Sequence, residues 1–275
     1  MPYTIEAAQD GCYPGTTVLV NKFDLHTQKE LNAVESVLVT AKMIQWSENP
    51  RCAAFDFEHY KAIHRHLFGE LYDWAGQVRM VNLSKKGTQF CPVEEIPRVS
   101  AAIFKRLAQN NLLCGLARND FIAALVDLYQ RTNELHPFRE GNGRTQRVFL
   151  SQLAENAGYD LDFTAVDPDE LMIATIYAAQ GIEAPLQQAF EKIVQNVECP
   201  DPLRRAEPHA GAVLLYRAGL DCITALHFVN RNLKLFHICE KITLYAKTSD
   251  NHFGFCAIIE TRIRPIPNLR RLNKK

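Results

Sequence analysis

The segment His136-Pro137-Phe138-Arg139-Glu140-Gly141-Asn142-Gly143-Arg144-Thr145-Gln146-Arg147 places a proton acceptor, a hard oxygen ligand, two glycines and two arginines three apart within one short stretch. Pro137 disfavours helical backbone angles at His136, so a helix should end there with the imidazole at its tip. Gly141 and Gly143 allow Gly141-Asn142-Gly143 to turn its N–H groups inward as an anion nest before the next helix begins. A helix N-terminus beside His136 is a ready site for phosphate. Arg144 and Arg147 are expected in the first turn of that helix, where the dipole disfavours cations, so an anion should offset them. A polyphosphate fits, because guanidinium forks match phosphate oxygens. Glu140 suits a magnesium ion shared with such phosphates, and His136 can take a proton from an attacking hydroxyl near neutrality. Phe138 reads as an apolar plug that anchors the loop, and Arg139 as a solvated side chain or a minor phosphate contact. Each residue alone would fit a cap, a turn or a surface charge. Together they point to phosphate chemistry.

The elements that must hold this segment read as mostly helical up to residue 200. Leu31, Val34, Leu38 and Ala41 keep helical spacing from Gln28 to Trp46, and a second apolar stripe runs from Phe57 through Ile63, Leu67 and Leu71. Asn119 or Asp120 is expected to cap a helix bearing Ile122, Leu125, Val126 and Tyr129. Another should run from about Arg144 to Ala157, stopped by Gly158, and a last one from Leu186 to Val197. Between Gly76 and Pro92, Val78, Met80 and Val81 lead into Ser84-Lys85-Lys86-Gly87, followed by Thr88-Gln89-Phe90. That reads as a short hairpin with a basic tip, the one strand pair expected before residue 200.

Composition sets the wider frame. The chain has 275 residues, 31 Lys+Arg against 31 Asp+Glu, and 47% hydrophobic positions, as in a soluble globular protein. No apolar run approaches the roughly 18 residues of a membrane helix, so no membrane is expected. The start carries Glu6 and Asp10 and has no basic patch followed by an apolar stretch, so a cytoplasmic location is the default expectation, with secretion as an effector compatible. The eight cysteines include no CxxC pair, which argues against a disulfide scaffold or a structural zinc site. Cys222, Cys239 and Cys256 recur every 17 residues near His237, and are read as small buried hydrophobes. Residues 201–275 hold 13 Lys+Arg against 6 Asp+Glu, a net +7, balanced by 18 against 25, or −7, in the first 200. With Cys199-Pro200-Asp201-Pro202 as the break, two units are expected, 1–200 and a basic extension over 201–275. In the extension, Val213 to Leu235 allows a helix, and Phe253, Phe255, Ala257 and Ile259 alternate as in a strand.

Residues 136–147 resemble the signature of the Fic (filamentation induced by cAMP) family, HPFx(D/E)GNGRxxR, and match it at every defined position. Tyr13-Pro14-Gly15-Thr16 with Asn21-Lys22 resembles the family's N-terminal segment. Ile63-His64-Arg65-His66-Leu67-Phe68 through Asp73-Trp74-Ala75-Gly76 and Arg79 resembles the stretch leading into its flap. The resemblance implies a mainly α fold: a Fic-type helical bundle with a β-hairpin flap at about 77–92, a core at about 50–197, and an appendage of unassigned fold. It implies transfer of AMP from MgATP to a Tyr, Thr or Ser hydroxyl of a target protein. His136 would be the base and Glu140 the Mg2+ ligand. Gly141, Asn142 and Gly143 would surround the phosphates, Arg144 and Arg147 would hold the outer ones, and Phe138 and Arg139 complete the nucleotide site. Lys85, Lys86, Gly87 and Thr88 would line the flap where an extended target segment adds as a strand.

The family is often silenced by a helix of pattern (S/T)xxxE(G/N). The match at Ser151–Asn156 is read as coincidence, because Glu155, eight residues or about 12 Å beyond Arg147 on one helix, cannot fold back onto it. A separate small antitoxin is therefore the expected regulator. Related enzymes move a phosphoryl group, UMP or phosphocholine, but the phosphoryl-transferring Doc type has lysine where Gly143 stands. The other alternative is an idle binding module, perhaps for nucleic acid through the basic extension. The complete set of His136, Glu140, Asn142, Arg144 and Arg147 favours an enzyme, and nucleic acid is not the expected partner.

Overall fold

The computed structural model of the chain describes residues 11–48, 54–85, 88–196, 243–246 and 255–258. The helices among them are α1 (Gln28–Glu48), α2 (Phe57–Phe68), α3 (Ile96–Gln109), α4 (Arg118–Leu135), α5 (Asn142–Ala157), α6 (Pro168–Ala179) and α7 (Ala184–Ile193). The expected mainly α architecture with a short hairpin is what the chain adopts. Asp56 starts α2 by accepting from the His59 N–H at 2.8 Å, and Arg65 and His66 sit in its last turn, where the dipole favours cations. Aromatic residues join the central helices. Phe149 of α5 meets Tyr60 of α2 and Phe104 of α3 in edge-on contacts, with centroids 5.3 and 5.6 Å away. Ile63, Phe121, Ile122 and Leu125 are fully buried around them.

Two helix boundaries differ from expectation. Ala117, not Asn119 or Asp120, caps α4, because the Phe121 N–H bonds to the Ala117 carbonyl at 2.8 Å. Asp120 then lies in the first turn, where its charge suits the dipole. The last helix stops at Ile193 rather than Val197. Val194–Asn196 forms a strand, β4, antiparallel to β3 (Tyr159–Leu161), in the register Tyr159↔Asn196 and Leu161↔Val194. The hairpin is therefore not the one strand pair before residue 200.

The hairpin itself is present as β1 (Ser84–Lys85) and β2 (Thr88–Gln89), pairing Ser84 with Gln89 and Lys85 with Thr88. Lys86 and Gly87 at its tip lie outside the described residues. Below the tip, the Phe90 N–H bonds to the Leu83 carbonyl at 3.1 Å, and the Asn82 side chain accepts from the Val93 N–H at 2.9 Å. Contacts divide the chain into two units, 1–219 and 220–275. The second contains β5 (Thr243–Ala246) paired antiparallel with β6 (Phe255–Ile258), the strand read from residues 253–259. The expected break at Cys199–Pro202, the helix at 213–235, and Cys222, His237 and Cys239 lie outside the described residues. No helix among the described residues is long and apolar enough to cross a membrane.

Candidate active site

Helix α4 ends at His136, as the following proline predicts, and His136 takes the left-handed conformation (φ 40°, ψ 58°). Such a backbone costs on the order of 1–3 kcal/mol for a non-glycine residue and must be held by its surroundings. Arg79, 3% exposed, holds it. Its Nε donates to the His136 carbonyl at 2.8 Å, and its backbone N–H donates to the Pro137 carbonyl at 2.9 Å. Its Nη1 donates to the Val81 carbonyl at 2.6 Å, and its Nη2 donates to the Cys91 carbonyl. One buried guanidinium thus ties both sides of the hairpin stem to the end of α4. The Phe90 ring stacks on the imidazole at 3.7 Å, 11° from parallel. The His136 Nδ1 lies 3.2 Å from the Asn133 carbonyl, which can only accept. Nδ1 therefore carries the proton and Nε2 the lone pair, the tautomer a base acting through Nε2 requires.

The loop after His136 is fastened from inside. The Phe138 ring is fully buried and stacks on His64 at 3.9 Å. Asn142 closes the loop: its Oδ1 accepts from the Phe138 N–H at 2.9 Å, and its Nδ2 donates to the Phe138 carbonyl at 2.8 Å. With ring and backbone both engaged, Phe138 anchors the loop. Gly141 adopts φ 80°, and a Cβ there would lie 2.4 Å from the Phe68 ring, so only glycine fits. That turn starts α5 at Asn142, two residues earlier than expected. Arg144 is thus the third residue of the helix and Arg147 the sixth, in its second turn. Gln146 bonds to the Tyr129 carbonyl (2.8 Å) and the Thr132 hydroxyl (2.7 Å), fixing α5 against α4. Arg139 is half-buried beside the loop.

His64 positions the same loop from α2. Its Nδ1 accepts from the Gly76 N–H at 2.8 Å, so its Nε2 carries the proton and donates to the Glu140 carbonyl at 2.9 Å. Burial lowers its pKa to about 4, with the Arg144 charge acting in the same direction. Well above pH 6.5 neither folded nor unfolded chain holds a second proton on this imidazole, and the stabilisation is complete. As pH falls from 6.5 towards 4 the unfolded chain protonates first, and stability drops by roughly 3 kcal/mol. Denaturant titrations of the wild type and of His64→Gln at about pH 7 and about pH 4.5 should show the wild type losing roughly 2 kcal/mol more unfolding free energy than the variant. Parallel pH profiles would show that His64 is not held neutral.

The two arginines differ in a way the sequence did not reveal. Arg144 Nη2 bonds to Glu35 Oε1 of α1 at 2.5 Å, and its guanidinium lies 4.8 Å from the centre of the Phe68 ring. The anion that offsets its place in the first turn is a carboxylate of the same chain, so that conflict no longer implies a phosphate at Arg144. Arg147 is different. Half-buried, it has no hydrogen bond or ion pair among the described residues, and burial, with repulsion from Arg144, lowers its pKa. An arginine side chain runs back towards the helix N-terminus, and a Cβ on Gly143 would lie 3.7 Å from Arg147 Nη1, so the guanidinium rests beside the first turn. Glu140, its side chain 36% exposed, accepts from the Gly141 N–H at 2.9 Å and lies 3.6 Å from Arg144 Nη2. Among the described residues no group of three His, Cys, Asp or Glu could cage a metal. A single hard carboxylate at the surface instead fits a magnesium ion that completes its shell with phosphates and water. The side chains of Lys85, Lys86 and Thr88 lie outside what is described, as does Gly87.

The model of the Fic/DOC family matches residues 54–154. A probable protein adenylyltransferase of Sinorhizobium fredii is 36% identical over 184 residues, 66% of this chain and 94% of that protein. The chain belongs to the Fic/DOC family. It is an enzyme of the nucleotidyltransferase class, as its sequence predicts. A second Fic relative, the probable protein adenylyltransferase Fic of Escherichia coli, is 33% identical over 67% of this chain and 91% of its own length. The Fic fold is shared with the BepC protein of Bartonella tribocorum, solved with bound AMPPNP: TM-score 0.66, 29% identity, 69% of this chain and 98% of that one. It is also shared with the N-terminal Fic domain of a Bartonella quintana effector solved with bound ADP: TM-score 0.64, 27% identity, 68% of this chain and 94% of that one.

Proposed function

We propose that the protein transfers AMP from MgATP to a hydroxyl of a target protein, through residues 1–200, with residues 201–275 as a separate appendage. The observation that carries this reading is Arg147, a half-buried cation with no ion partner among the described residues, beside the first turn of the helix that follows the loop. The relatives named adenylyltransferases and the AMPPNP-bound neighbour support adenosine triphosphate as the donor.

His136 Nε2 takes the proton of the target hydroxyl, whose oxygen then attacks the α-phosphorus in line as pyrophosphate leaves. The N–H groups of Asn142 and Gly143 at the α5 N-terminus face the phosphates, Gly141 supplies the turn that presents them, and Arg147, with Arg144, neutralises the departing charge. Glu140 holds Mg2+, which when bound offsets phosphate charge. Lys85, Lys86, Gly87 and Thr88 receive the target segment as an added strand. The (S/T)xxxE(G/N) match lies within α5 itself, on the helix that bears Arg147. A small antitoxin that supplies a carboxylate to Arg147 would therefore silence the enzyme.

The test is incubation with a lysate and ATP labelled at the α- or the γ-phosphate. Label on protein from the α position alone is expected. Label from the γ position alone would mean phosphoryl transfer, and label from neither would leave a binding module.

A further inference from the structure

Arg144 stands between two carboxylates. The same atom, Nη2, is 2.5 Å from Glu35 Oε1 and 3.6 Å from Glu140 Oε1. Glu140 lies four residues before Arg144, in the loop just ahead of α5, within reach of the guanidinium. Yet the close partner is Glu35, from a helix more than a hundred residues away in sequence. Glu35 is itself fixed: its side chain is 12% exposed, and its Oε2 accepts from the Tyr72 hydroxyl at 2.7 Å. Burial and the Glu35 charge both raise the Tyr72 pKa, so the phenol stays a donor. The pair borders a cleft of about 280 Å³, lined also by Asn32, Ser36, Thr40 and Met43. Charge, with the Phe68 ring beneath, decides where the guanidinium lies.

We infer that Glu35 is a positioning residue for the metal site: it draws Arg144 off Glu140, so that the Glu140 carboxylate stays available to a divalent cation. The inference rests on the proposal that Glu140 binds the metal. Without the Glu35 charge, Arg144 would close the 3.6 Å gap to Glu140 Oε1 and compete with the cation for that carboxylate. Glu35 does not ligate the cation itself, since its two oxygens are engaged by Tyr72 and Arg144.

The test measures the Mn2+ concentration needed for AMPPNP to bind the full chain, by calorimetry and by the spin resonance signal of free Mn2+. Glu35→Gln keeps the size of the side chain and an acceptor for Tyr72 but removes the charge. It should raise the Mn2+ requirement about fivefold, the worth of one partly exposed ion pair. In an Arg144→Ala background the same change should have no effect, because no guanidinium is left to close on Glu140. An unchanged requirement in Glu35→Gln, or an equal loss with and without Arg144, would overturn the inference, the second by showing that Glu35 attracts the cation directly. Glu140→Gln separates this from the reading beneath it. If that variant needs no more Mn2+ than the wild type, Glu140 is not the ligand and the metal assignment itself fails.

Discussion

His136→Ala should lower AMP transfer by about a thousandfold while AMPPNP affinity stays within about twofold, since a positioned base contributes roughly 10²–10⁴ and makes little ground-state contact. The geometry makes the expectation specific. The Nδ1 proton is spent on the Asn133 carbonyl, and the ring is clamped by Phe90, so Nε2 is the atom that must act. Alanine also disturbs the backbone, because position 136 is left-handed and the hairpin stem depends on its carbonyl through Arg79. His136→Asn addresses this, as asparagine tolerates that conformation and cannot serve as the base. Both variants should lose transfer, read as initial rates of label from the α-phosphate, and both should bind AMPPNP in calorimetry. If the asparagine variant keeps wild-type turnover, the role of His136 is to hold the loop, and the base lies elsewhere.

The parts of the site that could be read from the sequence are those set by local chemistry. Pro137 stops α4 at His136, glycine at 141 turns the chain into the next helix, and the spacing of apolar residues marks the bundle. What escaped is set by partners distant in sequence. Glu35 has no feature of its own in a helix that reads as ordinary, and only the fold carries it to Arg144. The pairing of β3 with β4 joins segments of three residues each, too short for alternation to stand out, and the apolar Val194 follows α7 without a break. His64 and Arg79 fell within the stretch that resembles the family, yet their work as buried donors to the Glu140 and His136 carbonyls has no local signature. The helix α5 starts two residues before the position its sequence predicts for a related reason. The side chain of Asn142 points back to Phe138, and a left-handed glycine supplies the turn, so no ordinary cap marks the boundary.

Arg147→Met should make the free protein more stable, by about 1 kcal/mol, and a poorer enzyme by about 10²–10³ in transfer rate. The two effects have one cause. A half-buried guanidinium without an ion partner among the described residues weakens the fold, and here a second cation, Arg144, adds repulsion, as the lowered Arg147 pKa reflects. Methionine fills much of the same space without charge, so the folded state gains. In the reaction the same cation is what the departing phosphates meet, and removing one preorganised donor of that kind costs about 10²–10³. Ligand binding then reverses the order of stability. At a hundredfold excess over its dissociation constant, MgAMPPNP should stabilise the wild type by about 2.7 kcal/mol and Arg147→Met by far less, so the variant unfolds later when free and earlier when nucleotide is present. Denaturant midpoints of both chains, with and without MgAMPPNP, test this directly. A variant that is less stable than the wild type when free, yet transfers AMP normally, would make Arg147 a structural residue and remove the observation on which the proposed function rests.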